Sequence, residues 1–251
     1  MIEYPQIDRY AGLTSPIHRW DPRAKLVAIL SLIFSVVLIP DMMMASVGLA
    51  VALLLVFISR LPLRFVLGHL VGVSLFILPL SVIILFTYHQ GNEVVRFAFL
   101  RVTTGGLEYA SLIAVRALAA IILVLPMVGT MRFDVAMKAL ERLRVPPKLV
   151  QMIMFTYRYI FVLIGEFQRM LRALASRGFS AGLNVGSIST MGKLIGMFFI
   201  RSQGRAERVY NAMLSRGYEG NICTLIEFKM HKTDILKAAI LIAIAVALNV
   251  F

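Results

Sequence analysis

The chain has 251 residues, is 59% hydrophobic, and carries 26 Lys and Arg against 13 Asp and Glu, a formal net charge of +13. A mean hydropathy of +0.84 excludes an ordinary soluble domain, and the clustering of apolar residues into runs predicts an all-α polytopic membrane protein. The single Cys, Cys223, excludes an internal disulfide, and residues 1–25 lack the apolar core and cleavage site of a signal peptide.

In chain order, residues 26–39 form the first apolar run, broken at Pro40-Asp41, and residues 42–58 the second, broken at Leu61-Pro62. Both are short for a hydrocarbon core about 30 Å thick, which places their polar ends among the headgroups. Residues 66–88 form the third run, with Pro79 inside as an expected kink. A polar connection, 89–105, contains Gln90-Gly91-Asn92. Residues 106–130 and 235–251 form the fourth and fifth runs, so about five transmembrane helices are expected.

The stretch between the last two runs differs in character. Residues 131–234 hold 16 of the 26 basic residues. Phe133, Met137, Leu140 and Leu143 recur at helical spacing and predict a short amphipathic helix ended by Pro146-Pro147. Residues 148–177 read as one long helix, roughly 45 Å at 1.5 Å per residue. Gly178, Gly182 and Gly186 mark a loop, and 187–216 read as a second long helix stopped at Gly217. Three regions result: an N-terminal segment with four spans (1–130), a cytoplasmic region of long amphipathic helices (131–233), and a C-terminal span (234–251).

Residues 149–165 are apolar enough to imitate a span. An Arg at the bilayer centre costs about 3 kcal/mol on insertion scales, but Arg158 does not decide the matter, because Arg116 lies inside the fourth run. Orientation decides it. A crossing there would put Arg169, Arg172 and Arg177 outside, against the positive-inside rule. The same rule places Arg9, Arg19, Arg23 and Lys25 inside with the N-terminus, and the Lys- and Arg-free Pro40-Asp41 hairpin outside. It puts Arg60 and Arg64 inside, the connection with only Arg96 and Arg101 outside, the basic stretch with Cys223 inside, and the C-terminus outside. The expected location is the cell membrane, crossed several times.

Two copies of one tripeptide stand out. Ser176-Arg177-Gly178 and Ser215-Arg216-Gly217 lie 39 residues apart, and the match extends upstream from Arg169 to Arg208 and from Ala173 to Ala212. Each copy closes a long helix, with Gly as the left-handed stop. A duplicated tip carrying one Arg points to two equivalent sockets on a partner with two similar subunits. The plainer alternative is two basic helix ends complementing their helix dipoles near a membrane surface.

Other chemistry is sparse. Gly186 to Gly192-Lys193 is a near miss to a phosphate loop, with one residue too many and Leu194 in place of the Mg²⁺-binding Ser or Thr. His18, His69, His89 and His231 are scattered without metal-ligand spacing. No Ser/His/Asp or paired-carboxylate arrangement implies catalysis. Arg116, charged within a span, is a candidate intramembrane interface residue, against the alternative of a structural ion pair or snorkelling. Gly68 and Gly72 have the spacing of close helix packing. The basic balance also admits nucleic acid, but in a membrane chain it marks cytoplasmic loops and anionic headgroups.

The N-terminal run Asp8-Arg9-Tyr10-Ala11-Gly12, Ser15-Pro16-Ile17-His18-Arg19 and Asp21-Pro22-Arg23-Ala24-Lys25 resembles the transmembrane (T) component of energy-coupling factor transporters, in the cobalt/nickel branch called CbiQ. The resemblance covers the whole chain, including Pro146-Pro147, Tyr157-Arg158-Tyr159, Arg201-Ser202 and Ala212-Met213-Leu214-Ser215-Arg216-Gly217. The family's hallmark is a pair of short motifs, usually Ala-Arg-Gly, at the ends of two cytoplasmic coupling helices; here Ser replaces Ala in both. The resemblance implies a non-enzymatic coupling subunit that links two ABC-type ATPase subunits to a separate substrate-binding membrane subunit. ATP and Mg²⁺ would sit on the ATPases, with no cofactor or metal in this chain and no nucleic-acid partner. Cobalt or nickel is the expected substrate, and related T components serve vitamins such as biotin. A self-contained channel or secondary transporter is the alternative of a different class; it predicts an inverted repeat and several charged spans. A membrane-anchored nucleic-acid binder would use the charge but not the twin tips.

Overall fold

A computed structural model describes residues 12–88, 93–97, 100–180, 182, 184–220, 228 and 230–250. Asp8 to Ala11, His89 to Asn92 and Cys223 lie outside the described residues. Eight helices occur among the described residues: α1 (Pro22–Leu38), α2 (Met42–Ser59), α3 (Leu63–Thr87), α4 (Thr104–Gly129), α5 (Phe133–Arg142), α6 (Pro147–Ala175), α7 (Val185–Leu214) and α8 (Lys232–Val250). The chain divides into two compact units, one of Pro5–Ala139 with Glu227–Phe251 and one built mainly of Leu140–Ile226.

The first unit is a helix bundle whose directions follow from its end contacts. The Trp20 Nε1–H donates to the Asp234 carbonyl at 3.1 Å, joining the starts of α1 and α8. At their far ends Ser35 Oγ donates to the Ala245 carbonyl at 2.6 Å, and Asn249 Nδ2 donates to Ser35 Oγ at 2.6 Å. The first and last helices therefore run parallel. The Lys25 ammonium donates to Thr130 Oγ1 at 2.9 Å, to the Thr130 carbonyl at 3.3 Å and to the Ile17 carbonyl at 3.2 Å. It thus meets the C-terminal, negative end of α4 and sets α4 antiparallel to α1. Lys25, counted from sequence among the four basic residues that precede the first apolar run, is 1% exposed and completes the α4 terminus.

Each element starts and stops for a local reason. Asp21 caps α1 by accepting from Arg23 N at 2.9 Å, and Pro22 supplies a preset first turn. The α2 helix ends at Arg60, which takes a left-handed φ of 53° before Leu61-Pro62. The α3 helix passes through Pro79 without ending. Thr103 Oγ1 accepts from Gly106 N and donates to the Tyr88 carbonyl, stitching the start of α4 to the end of α3. Gly106 is obligatory there, since a Cβ would sit 2.9 Å from the Tyr88 carbonyl oxygen and 3.0 Å from that of Leu85. At the other end a Cβ on Gly129 would touch Leu61 and Phe65, so α3 and α4 are antiparallel. The core is lined with small residues (Ala28, Ala45, Ala52 and Ala119 are all fully buried), which lets helices approach closely without a water-driven hydrophobic effect.

The polar connection 89–105 contains a short antiparallel hairpin, β1 (Glu93–Phe97) and β2 (Leu100–Thr103), with Arg96 opposite Arg101. The β-branched content of Val94, Val95, Val102 and Thr103 favours an extended backbone there, a signal masked in the sequence by the charges between them. By length and composition, α2, α3, α4 and α6 can each cross a membrane. The α1 helix, at 17 residues, spans only about 25 Å. Gly68 and Gly72 have open space where a Cβ would be, so neither is a point of close packing among the described residues.

Candidate functional site

The second unit is dominated by α6 and α7, of 29 and 30 residues. The amphipathic helix predicted from Phe133 onward is α5, and Pro147 opens α6 at its first turn. Asn184 caps α7 by accepting from Ser187 N at 2.8 Å.

Both Ser-Arg-Gly copies terminate their helices in the same way. At the end of α6, Phe179 N donates to the Leu174 carbonyl at 3.2 Å and Gly178 N to the Ala175 carbonyl at 3.0 Å. At the end of α7, Tyr218 N donates to the Met213 carbonyl and Gly217 N to the Leu214 carbonyl, both at 3.0 Å. These are two Schellman stops with the glycine in the left-handed region, φ +80° at Gly178 and +81° at Gly217. Each serine folds back alike, Ser176 Oγ donating to the Ala173 carbonyl and Ser215 Oγ to the Ala212 carbonyl. A Cβ on either glycine would meet nothing within 4 Å, so the glycine is there for its φ and not for space. Ser176, Arg177, Gly178, Ser215, Arg216 and Gly217 are all exposed. Neither arginine makes an ion pair or side-chain hydrogen bond among the described residues, so each guanidinium presents its full fork of donors.

The structure separates the two tips. The Tyr218 hydroxyl donates to Gln151 Oε1 at 2.8 Å, and Gln151 Nε2 donates to the Gly220 carbonyl at 2.9 Å. The α7 tip is thereby fastened beside the first turns of α6, while the α6 tip lies at the opposite end of that helix. The distance between them is on the order of 40 Å, the length of α6.

Midway, the helices cross at Glu166. Its carboxylate accepts from Arg205 at 2.8 Å, Arg169 at 3.3 Å and Arg201 at 3.4 Å, and Phe167 meets Phe198 edge-on at 5.5 Å between ring centres. The 39-residue offset that superposes the two tripeptides also carries Glu166 onto Arg205. Equivalent positions of the two copies therefore touch each other, as expected at a local two-fold axis, with one tip on each side. The sequence reading singled out Arg201-Ser202 and Arg169 but missed Glu166, Arg205, Gln151 and Tyr218; extending the offset alignment three residues upstream of Arg169 is the signal that finds the Glu166–Arg205 pair.

Arg116 is half-buried in α4, and its Nε has no hydrogen-bond partner among the described residues. His18 shares a 2.7 Å hydrogen bond with Ser15, and His69 contacts the Phe65 carbonyl. No cluster of three metal-ligating side chains occurs among the described residues.

Comparison with known proteins places these features. Residues 14–225 match the CbiQ family, described as "Cobalt transport protein". The chain is similar to the energy-coupling factor transporter transmembrane protein EcfT of Thermanaerovibrio acidaminovorans, with 32% identity over 86% of this chain and 84% of that one. It is also similar to the EcfT proteins of Listeria innocua (29% identity, 88% and 87% covered) and Bacillus subtilis (26%, 88% and 87%). With the twin helix stops and the membrane bundle, these matches identify the chain as a member of the CbiQ family, the multi-pass transmembrane components of energy-coupling factor transporters, which are not themselves the ATPases.

Proposed function

We propose that this chain couples two ABC-type ATPase subunits to a separate substrate-binding membrane subunit, with Arg177 and Arg216 each entering a groove on one ATPase. The observation that carries this reading is the pair of identical, exposed Arg-Gly tips, unpaired among the described residues and held about 40 Å apart on one helix pair. One groove cannot take both. Two homologous ATPases, related by a two-fold axis, supply two grooves in matching orientation. An arginine entering an acidic groove gains charge-assisted, bidentate hydrogen bonds, and the left-handed glycine turns the chain away directly after the contact. On this reading residues 131–233 form the cytoplasmic coupling region between spans 1–130 and 234–251, and ATP and Mg²⁺ are bound by the partners.

The parallel course of α1 and α8 supports termini on opposite sides of the membrane, and the distribution of basic residues supports the N-terminus inside and the C-terminus outside. The cargo reading is cobalt or nickel, supported by the family description and by the N-terminal resemblance; a vitamin is the alternative, since the EcfT relatives' names specify no cargo. Arg116, whose Nε has no partner among the described residues, is read as a contact for the substrate-binding subunit.

Co-purification tests the docking. Arg177→Glu or Arg216→Glu should each weaken recovery of the ATPases, and the double change should abolish it, because truncating one side of a desolvated charge contact costs about 2–5 kcal/mol. Wild-type recovery and normal uptake in the double variant would remove the socket reading. Uptake of labelled cobalt, nickel and biotin by the reconstituted complex decides the cargo.

A further inference from the structure

Between α6 and α7 lies a cavity of about 380 Å³, within the range of small-molecule sites. Phe155, Tyr159, Leu163, Val209 and Met213 give it an apolar lining, and Arg205 forms part of its wall. That arginine also belongs to the crossing cluster, so the cavity and the cluster are continuous. The cluster is unbalanced. Three guanidinium groups share the single carboxylate of Glu166, each through one terminal nitrogen. A guanidinium has five N–H donors, so among the described residues most donors of the cluster remain unspent. The side chains of Arg169 and Arg201 are 60% and 55% exposed and have room for a further acceptor. The imbalance extends along the pair: α6 and α7 carry Lys148, Arg158, Arg169, Arg172, Lys193, Arg201, Arg205 and Arg208 against only Glu166 and Glu207.

An apolar cavity with surplus cations at its wall matches a ligand with an apolar tail and an anionic head. We propose that the α6–α7 crossing binds one anionic phospholipid, one of its two acyl chains in the cavity and its phosphate on Arg169, Arg201 and Arg205. A membrane protein meets such a ligand constantly, and basic pockets beside apolar helices are the recognised form of headgroup sites. Exposed Ile160 and Ile200, on the same two helices, lie within reach of neighbouring lipid on this reading. The site needs no ATPase, so it stands or falls separately from the docking of the tips.

The full chain, purified in neutral detergent and stripped of lipid, is titrated with phosphatidylglycerol and with phosphatidylcholine and read by native mass spectrometry. One phosphatidylglycerol should bind at least tenfold more tightly than phosphatidylcholine. R169Q/R201Q should bring phosphatidylglycerol down to the phosphatidylcholine level. Ala206 also lines the cavity, and Ala206→Trp, which fills it and leaves all charges in place, should weaken both lipids. Lys193→Gln, removing one charge away from the crossing, should change neither. Circular dichroism confirms that each variant keeps its helices. Equal binding of the two lipids, equal loss in K193Q and R169Q/R201Q, or displacement by glycerol phosphate at concentrations equal to the lipid's would overturn the proposal, as would unaltered binding in A206W.

Discussion

At the scale of single residues, the two tip glycines are separable from the arginines they follow. Their φ near +80° is a conformation in which a Cβ costs about 1–2 kcal/mol, while the space around them is open. Gly178→Ala or Gly217→Ala should therefore lower the melting temperature modestly and loosen the helix end. Gly→Asn at the same positions should be nearly neutral, because Asn tolerates the left-handed region. Thermal unfolding of the four variants in detergent checks this; equal losses from Ala and Asn would mean that the tips depend on something other than backbone conformation. Arginine and glycine thus divide one task, the first presenting donors and the second setting where the chain turns.

At the scale of elements, the bundle is held at its ends by polar contacts that the apolar runs do not reveal. Lys25 satisfies three oxygen atoms at once, joining the segment before α1 to the last residue of α4's terminus. Lys25→Met should destabilise the bundle by about 1–3 kcal/mol, the cost of leaving buried acceptors unpaired. Trp20 is the only Trp, is 4% exposed and bonds to Asp234, so its fluorescence reports this junction directly. An unchanged fluorescence melt in Lys25→Met would show that the contact is dispensable. Asn249→Leu at the opposite end should cost less, about 0.6 kcal/mol, typical of interhelical hydrogen bonds in membranes. The two substitutions act on different ends of α1 and share no partner, so their effects should add.

At the scale of the whole molecule, the orientation proposal predicts the side on which Cys223 lies. An impermeant thiol reagent should label it in inside-out vesicles and not in intact cells. Labelling in intact cells would reverse the topology and place the tips away from cytoplasmic ATPases. The same division of labour predicts that the isolated chain binds neither Co²⁺ nor Ni²⁺ tightly, since such sites draw several N, O or S ligands together, and His18 and His69 are engaged elsewhere. Calorimetry on the tag-free protein checks it; stoichiometric binding near or below about 1 μM, lost on replacing His69 or His89, would make this subunit a handler of cargo.

Apolar runs, basic loops and the repeated Ser-Arg-Gly are properties of short stretches, and the sequence by itself determined what depends on them: a polytopic helical protein and two long helices ending in matched tips. The helix stops at Gly178 and Gly217 were legible because left-handed stops act within a few residues, and the break at Pro146-Pro147 because proline punctuates a helix; α1, by contrast, starts at Pro22, ahead of the apolar run read from Leu26. The tertiary structure alone decided what depends on residues far apart in the chain. Nothing local tells that Lys25 turns inward to Thr130, that α1 and α8 run side by side in parallel, or that Gln151 anchors Tyr218. Whether two matched tips lie together or about 40 Å apart is set by where α6 and α7 cross, and that crossing is fixed at Glu166 by arginines up to 39 residues away. Periodicity along a helix specifies which face is buried; it does not specify against what, because the partner face is supplied by a different part of the chain.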